Sequence, residues 1–226
     1  MSRRIKHFVG QHEGKHKTFP VKDPKMISKI FDYLIYQREH AKTKIKKYQA
    51  DRNYMLFLIG FNTAFRAEDL LQLRVVDVKK GYVSIKENKT GKMQNFRMNK
   101  QLHEQILEYI EKYDLKEHDF LFMGQKKFDT YKGITERKIY PITRQNCNTV
   151  IFPKVITACG IDFTFGLHSL RKTFGYQYIK NGGNPLTLMK MYNHDEVGTT
   201  MFYVMWNTDD AENTREATFI GKKSNK

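Results

Sequence analysis

Residues 51–63 read DRNYMLFLIGFNT, and the run Tyr54-Met55-Leu56-Phe57-Leu58-Ile59 inside it is apolar on every face of a helix. A helix without a polar face belongs in the middle of a core, so the stretch predicts a central, buried helix from Asp51 to about Thr63. Around it the pattern becomes amphipathic. Upstream, Asp23-Pro24 is an N-cap followed by proline at the first helical position, and Ile27, Ile30, Phe31, Leu34 and Ile35 recur at helical spacing to about Arg38. Lys42–Lys47 reads as a charged connection. Downstream, a further helical stretch holds Leu70, Leu71 and Leu73. The period then drops to that of strands. Tyr82–Lys86 and Gln94–Met98 flank a hairpin loop, Asn88-Lys89-Thr90-Gly91-Lys92, and Val75–Val78 is a candidate third strand.

After Asn99, another N-cap, Leu102, Ile106, Leu107 and Ile110 mark a helix. Thr143 to about Cys159 reads as a helix kinked or broken at Pro153 and closed by Gly160. Ser169 is expected to cap a helix that ends at Asn181-Gly182-Gly183; Asn184-Pro185 opens the next, and a last one covers Thr199 to about Trp206. The expected fold class is mainly α with a small antiparallel β-sheet (α+β). One domain is expected over 20–206, between a flexible basic arm at 1–19 and a C-terminal segment at 207–226.

Composition narrows the function. The 226 residues carry 40 Lys plus Arg against 24 Asp plus Glu, a formal net charge of +16. With 40% hydrophobic and 13% aromatic residues the chain can build a core, which excludes global disorder. A charge of this size and sign asks for a polyanion, and nucleic acid is the first candidate. A membrane surface is the alternative, but no stretch pairs a basic face with a Trp/Phe/Leu face. Basic residues are dispersed over the arm, Arg38–Lys47, Lys79–Lys100, Lys126–Lys138 and the tail at Lys222, Lys223 and Lys226, so a folded surface is expected to wrap the polyanion. Cys147 and Cys159 form no CxxC motif and read as small buried hydrophobes in a reducing compartment. The longest apolar run, Tyr54–Phe61, falls far short of a membrane span, and the basic N-terminus has no apolar segment of the signal-peptide kind. A cytoplasmic protein working on DNA is the expectation.

Four groups of residues could carry chemistry. His168-Ser169-Leu170-Arg171 puts a histidine and an arginine on one face at a helix start, which taken alone is either a surface His–Arg pair or a corner suited to phosphate. Arg66, in TAFRAEDLL, is either paired with Glu68 or Asp69 or is a planar fork for phosphate. His194, in Asn193-His194-Asp195-Glu196, precedes Tyr203 by nine residues; as one of 13 tyrosines, Tyr203 taken alone reads as core. His7, His12 and His16 lack partners at metal-ligand spacing, and HExxH, GxxxxGK[ST] and GxGxxG are absent, which removes zinc hydrolases, ATPases and dehydrogenases.

Taken in order, Arg66 in TAFRAEDLLQL, Lys89 in NKTGK, His168 and Arg171 in HSLRKTF, and His194 and Tyr203 in NHDEVGTTMFYV resemble the catalytic domain of tyrosine site-specific recombinases, the phage-integrase family, over about residues 20–206. The resemblance implies that Arg66 and Arg171 are the two catalytic arginines, Lys89 the hairpin lysine, His168 the histidine of the HxxR motif, His194 the third basic position and Tyr203 the nucleophile. Asp69 stands where the family usually has a glutamate that buttresses the first arginine. Two departures are visible: Thr63-Ala64-Phe65-Arg66 replaces TGLR, and Tyr192-Asn193-His194 replaces LGH. Tyr192 reads as packing alone. Too few residues precede Asp23 for the family's core-binding domain, so a catalytic-domain-only member or an excised fragment is expected.

The implied activity is cleavage and rejoining of DNA strands through a 3′-phosphotyrosyl bond, without metal or cofactor. The implied partners are double-stranded DNA recombination sites, three further copies in a tetramer, and an accessory directionality factor; residues after Trp206 would dock on a neighbouring copy. The alternatives are relaxation of DNA in the manner of a type IB topoisomerase, and a non-catalytic DNA-binding regulator.

Overall fold

A computed structural model describes residues 17–131, 134–218 and 220. Helix α1 (Pro24–Glu39) starts where Asp23 Oδ1 accepts from Lys25 N. Helix α2 (Lys44–Asn62) starts earlier than the apolar run suggests, because Thr43 Oγ1 caps it at Lys46 N, so most of the charged connection is helical. Its apolar stretch is the centre of the core: Met55, Leu56, Phe57 and Ile59 are each 3% exposed or less, with Leu58 half-buried. Helix α3 (Ala67–Leu71) is short, and Leu73 lies beyond it.

Val75–Val78, the candidate third strand, is instead one helical turn, α4. Asp77 Oδ2 caps Arg74 N, and the free donors Val75 N and Val76 N are taken by the oxygens of Asp119 and Glu117. Capping and tertiary partners here override the β preference of three valines. Strands β1 (Tyr82–Lys86) and β2 (Met93–Arg97) form the expected antiparallel hairpin, pairing Tyr82 with Arg97 and Lys86 with Met93. Helix α5 (Lys100–Lys112) follows the Asn99 cap. A second antiparallel pair, β3 (Met123–Tyr131) and β4 (Ile134–Pro141), has no counterpart in the sequence reading.

The segment from Thr143 to Cys159 stays helical throughout, with no break at Pro153, but changes pitch just ahead of the proline. It runs through α6 (Arg144–Asn146), a π turn (Cys147–Ile151) and α7 (Phe152–Cys159), with Gly160 left-handed at φ 64°. Helix α8 (Leu167–Lys180) begins ahead of Ser169, which is its third residue and not its cap; Ser169 Oγ accepts from Gly166 N at 3.1 Å. Helices α9 (Pro185–Met191), α10 (Val197–Val204) and α11 (Thr208–Ala217) complete the order.

Two apolar clusters organise these elements. The larger joins α1, α2, α5, α7 and the start of α8, including Cys147 and Cys159, both free and buried. The smaller holds Ala64, Tyr176, Ile179, Leu188, Tyr192 and Val204, with Tyr203 and Trp206 packed against it. Helix α8 belongs to both. Its approach to α2 depends on Gly60, where a Cβ would meet Leu170 Cδ1 at 2.5 Å.

Of the expected arm, residues 1–16 lie outside the described residues, but the part at 17–19 is fastened to the body. Phe19 N donates to Thr164 O at 3.0 Å, and Lys172 Nζ donates to Thr18 O at 2.6 Å. In the C-terminal segment, Asp210 accepts from Tyr176 Oη at 2.5 Å and pairs with Lys22 at 2.7 Å. No described helix is long and apolar enough to cross a membrane.

Candidate active site

Helix α8 presents His168 in its first turn and Arg171 one turn on, the three-residue spacing that puts both on one face. Arg171 is 2% exposed, and a guanidinium so deep must find acceptors. It donates to Ala64 O through Nη1 and to Tyr192 O through Nη2, the latter at 2.9 Å, and lies 4.3 Å from the Tyr192 ring centroid. Burial pulls its pKa below the ordinary arginine value.

Arg66, at the N-cap of α3, also reaches Tyr192 O, at 3.3 Å from Nη2. One carbonyl oxygen therefore carries both arginines. The other arm of Arg66 pairs with Glu87, at the end of β1, and with neither Glu68 nor Asp69. Glu87 is 1% exposed and also accepts from Thr90 Oγ1 at 2.5 Å and Gln94 Nε2 at 2.6 Å. Burial opposes its charge, but Thr90, Asn193, Arg66 and Gln94 together prevail and hold the carboxyl below its usual range. The buttress that the resemblance assigns to Asp69 is thus supplied from the hairpin. Asp69 serves the loop instead, accepting from Asn88 N at 2.9 Å and Asn88 Nδ2 at 3.0 Å. Its Oδ2 is buried with no hydrogen-bond partner, and burial pushes its pKa up.

Lys89 is exposed at the hairpin tip. It lines a cleft of about 310 Å³ with Arg66, Asp69, Arg144 and His168. Burial, then the charges of Arg144 and Arg171, push the His168 pKa down to about 4, so its ring is neutral near pH 7. Arg144 carries no motif in the sequence; the fold of α6 alone brings it here.

The loop after α9 delivers His194. Tyr192 caps α9 and is fully buried, and Asn193 adopts φ 52°, a left-handed conformation that asparagine tolerates best after glycine. The change from LGH is thereby accommodated without moving the histidine off its loop. His194 Nδ1 is 3.0 Å from Thr200 Oγ1, which orients the ring and leaves the other nitrogen as the one a ligand oxygen can meet. Burial, then Arg171 and Arg66, lower its pKa to about 4.

Tyr203, on α10, stands edge-on to His194 and Tyr192, each with ring centroids 5.5 Å away. Lys172 Nζ is 5.1 Å and the Arg171 guanidinium 6.0 Å from its ring centroid. Burial raises the phenol's pKa while Arg171 and Arg66 pull it down, and the net direction is up. All six sequence-derived residues therefore converge, in two halves joined by the shared Tyr192 oxygen: Arg66, Lys89 and His168 around the cleft, and Arg171, His194 and Tyr203 around Tyr192. Sequence reasoning missed Glu87, Arg144 and Thr200, and took Tyr192 for packing alone, although its oxygen and hydroxyl both hold Arg171. His7, His12 and His16, weighed as metal ligands, lie outside the described residues. Among the described residues no cluster of His, Cys, Asp and Glu could hold a metal ion.

The site is one that can grip a phosphodiester and set a phenol against it. Residues 28–209 match the profile of the phage integrase family. The chain is 30% identical over 190 residues to the probable integrase/recombinase YoeC of Bacillus subtilis, covering 84% of this chain and 90% of that one. It is 25% identical over 186 residues to a tyrosine recombinase of Pseudothermotoga lettingae, of which it spans 59%. Among solved structures, XerA recombinase superposes with a TM-score of 0.64 at 15% identity, covering 92% of this chain and 66% of that one. The XerH site-specific recombinase bound to palindromic difH substrate gives 0.62 at 20%, covering 88% and 53%. At these identities the structural likeness speaks for the fold, and the sequence matches for the family. The chain belongs to the phage integrase family and is a tyrosine recombinase.

Proposed function

We propose that Arg66, Lys89, His168, Arg171, His194 and Tyr203 are the strand-cleavage machinery of this recombinase, acting on double-stranded DNA. The observation that carries the reading is the single Tyr192 oxygen held by both arginines beside the Tyr203 ring, which fixes two planar forks next to one phenol. Attack of Tyr203 Oη on a phosphodiester forms the Oη–P bond and breaks the P–O5′ bond. The neutral ring of His168 takes the phenol proton, and Lys89 gives a proton to the departing 5′-oxygen. Arg66 and Arg171 stabilise the charge that builds on the non-bridging oxygens by preorganised, charge-assisted hydrogen bonds. His194 completes the clamp. The phosphotyrosyl bond retains the energy needed for resealing, and attack by a partner strand's 5′-hydroxyl restores Tyr203.

Exchange between two duplexes calls for four copies, and an accessory factor is the natural way to give the exchange a direction. The work is that of DNA integration or excision by a mobile element, carried out where the DNA is.

The test uses a pool of nicked duplexes of randomised sequence, in which cleavage releases a short fragment and traps the covalent complex. Recovery of DNA attached to the protein through Tyr203 under denaturing conditions supports the reading; no adduct overturns it. Paired recovered sites on one plasmid should recombine. Relaxation of supercoils without recombination would favour the type IB alternative.

A further inference from the structure

The Lys89 loop is closed by its own backbone, Glu87 N donating to Lys92 O at 3.0 Å and Gly91 N to Glu87 O at 2.9 Å. It is anchored on both sides of Lys89. Asn88 is held by Asp69, and Thr90 by Glu87. Beyond the tip, Lys92 Nζ reaches Asn193 O at 3.3 Å and Asp195 Oδ1 at 2.8 Å, on the loop that carries His194. Within this lattice Glu87 divides its two oxygens. Oε1 meets Arg66 and Gln94, and Oε2 meets Thr90. The Glu87 side chain has no solvent exposure, whereas that of Arg66 keeps 17%. A buried carboxylate in so basic a chain is costly unless every oxygen is engaged, and here both are.

We propose that Glu87 is a positioning residue that sets the Arg66 guanidinium and the Lys89 loop as one unit. The inference rests on the cleavage reading above. A lysine on an exposed loop has a long, flexible side chain, and what the protein can fix is the backbone from which it starts. Glu87 fixes that backbone by the same carboxylate that aims the arginine, so the residue that stabilises the phosphate and the residue that protonates the leaving group arrive in register. Glutamine in its place keeps the size but presents one oxygen and one amide group. It can then accept from Arg66 or from Thr90, but no longer from both.

The experiment takes a cleavable sequence from the randomised pool and rebuilds it in two forms: the ordinary phosphodiester, and a 5′-bridging phosphorothiolate whose sulfur leaves without a proton. Single-turnover cleavage is measured with the full chain for Glu87→Gln and Thr90→Val. Thr90→Val changes an exposed loop residue and cuts the link from Glu87 to the loop, along with the loop's own bond from Lys92 N to Thr90 Oγ1 at 3.3 Å. Expected for Thr90→Val is a loss of about tenfold on the phosphodiester, from misplacement of the acid, and native cleavage of the phosphorothiolate. For Glu87→Gln the expected loss is about a hundredfold on the phosphodiester, shrinking but not vanishing on the phosphorothiolate, because the arginine remains misaimed. DNA affinity should stay native in Thr90→Val. Native cleavage by Glu87→Gln, or losses equal on the two substrates in Thr90→Val, would overturn the coupling. Should Glu87→Gln fail to fold, Thr90→Val decides alone: a loss confined to the phosphodiester supports the proposal and native cleavage of both overturns it. No adduct from the native chain is a different failure, that of the cleavage reading itself.

Discussion

Tyr192 and Arg171 hold each other at both ends. The Tyr192 hydroxyl donates to the Arg171 main-chain oxygen at 2.5 Å, Arg171 Nη2 donates to the Tyr192 main-chain oxygen at 2.9 Å, and the guanidinium lies on the ring between them. Tyr192→Phe keeps the ring and its packing but removes the first of these bonds. It should cost about 1 kcal/mol, the usual net value of one buried hydrogen bond. Cleavage should slow several-fold while DNA affinity holds. A melting temperature and a cleavage rate both equal to native would return Tyr192 to a packing role.

The space behind this pair is filled to contact. At Gly175, on the same helix as Arg171, an added Cβ would meet Tyr192 Oη at 2.1 Å and Val204 Cγ1 at 2.6 Å. Neither neighbour is the free end of a flexible chain, since Tyr192 and Val204 are fully buried. Gly175→Ala should therefore push α10 outward, with Tyr203 on it, at an overpacking cost of about 1–3 kcal/mol. The expected signature is lowered thermal stability with loss of adduct and near-native DNA binding. Native adduct yield would show that α10 tolerates the shift.

The sequence was most legible where local chemistry decides structure. Asp23, Asn99 and Asn184 cap the helices they were expected to cap, and Asn88–Lys92 turns the hairpin. It was least legible where partners far along the chain decide. Val75–Val78 turns helical because the loop at 117–119 takes its donors, and α6 brings Arg144 to His168 with no motif to announce it. The six residues that the resemblance proposes for the site converge in the fold, but the groups that support them carry no signal in the sequence. Arg66 has carboxylates two and three residues away, yet its partner is Glu87, just past β1, a choice made by the tertiary fold and not by sequence distance. Tyr192 looked inert because its role lies in a carbonyl oxygen, which sequence does not display.

Protonation of the two histidines links the site to stability. Burial and neighbouring arginines hold His168 and His194 at about 4 each in the folded chain, against about 6.5 for a free imidazole. As pH falls, the unfolded chain takes up these protons first. Stability tied to the pair is whole above about pH 6.5, declines as pH falls toward about 4, and levels off below, where both states are charged. Melting temperature against pH should therefore be flatter in this window for His168→Gln/His194→Gln than for the native chain. Identical slopes would mean that neither ring is held neutral.

Binding itself should be governed by counterion release. A chain of +16 that neutralises DNA phosphates with Lys and Arg should lose affinity linearly in log–log fashion with salt. Lys89→Ala should reduce that slope by about one unit if the loop lysine meets a phosphate in the bound state. A slope unmoved by the change would place Lys89 away from the backbone.

Chemistry and grip separate most cleanly at Tyr203 and Arg171. Tyr203→Phe deletes one oxygen from a ring whose neighbours, His194, Tyr192 and Lys172, meet it by its edge or face. Folding and DNA affinity should stay near native, and the covalent adduct should vanish, because no other group supplies the oxygen that bonds phosphorus. Arg171→Lys makes the opposite test. It keeps the charge but replaces a fork serving Ala64 O and Tyr192 O with a single ammonium, and strips the plane that lies on Tyr192. Adduct formation should fall by at least about a hundredfold, the melting temperature should drop, and Arg66 alone should hold the Tyr192 oxygen. If Arg171→Lys cleaved like the native chain, charge and not geometry would be what the site asks of Arg171. A covalent adduct surviving in Tyr203→Phe would move the nucleophile to another residue.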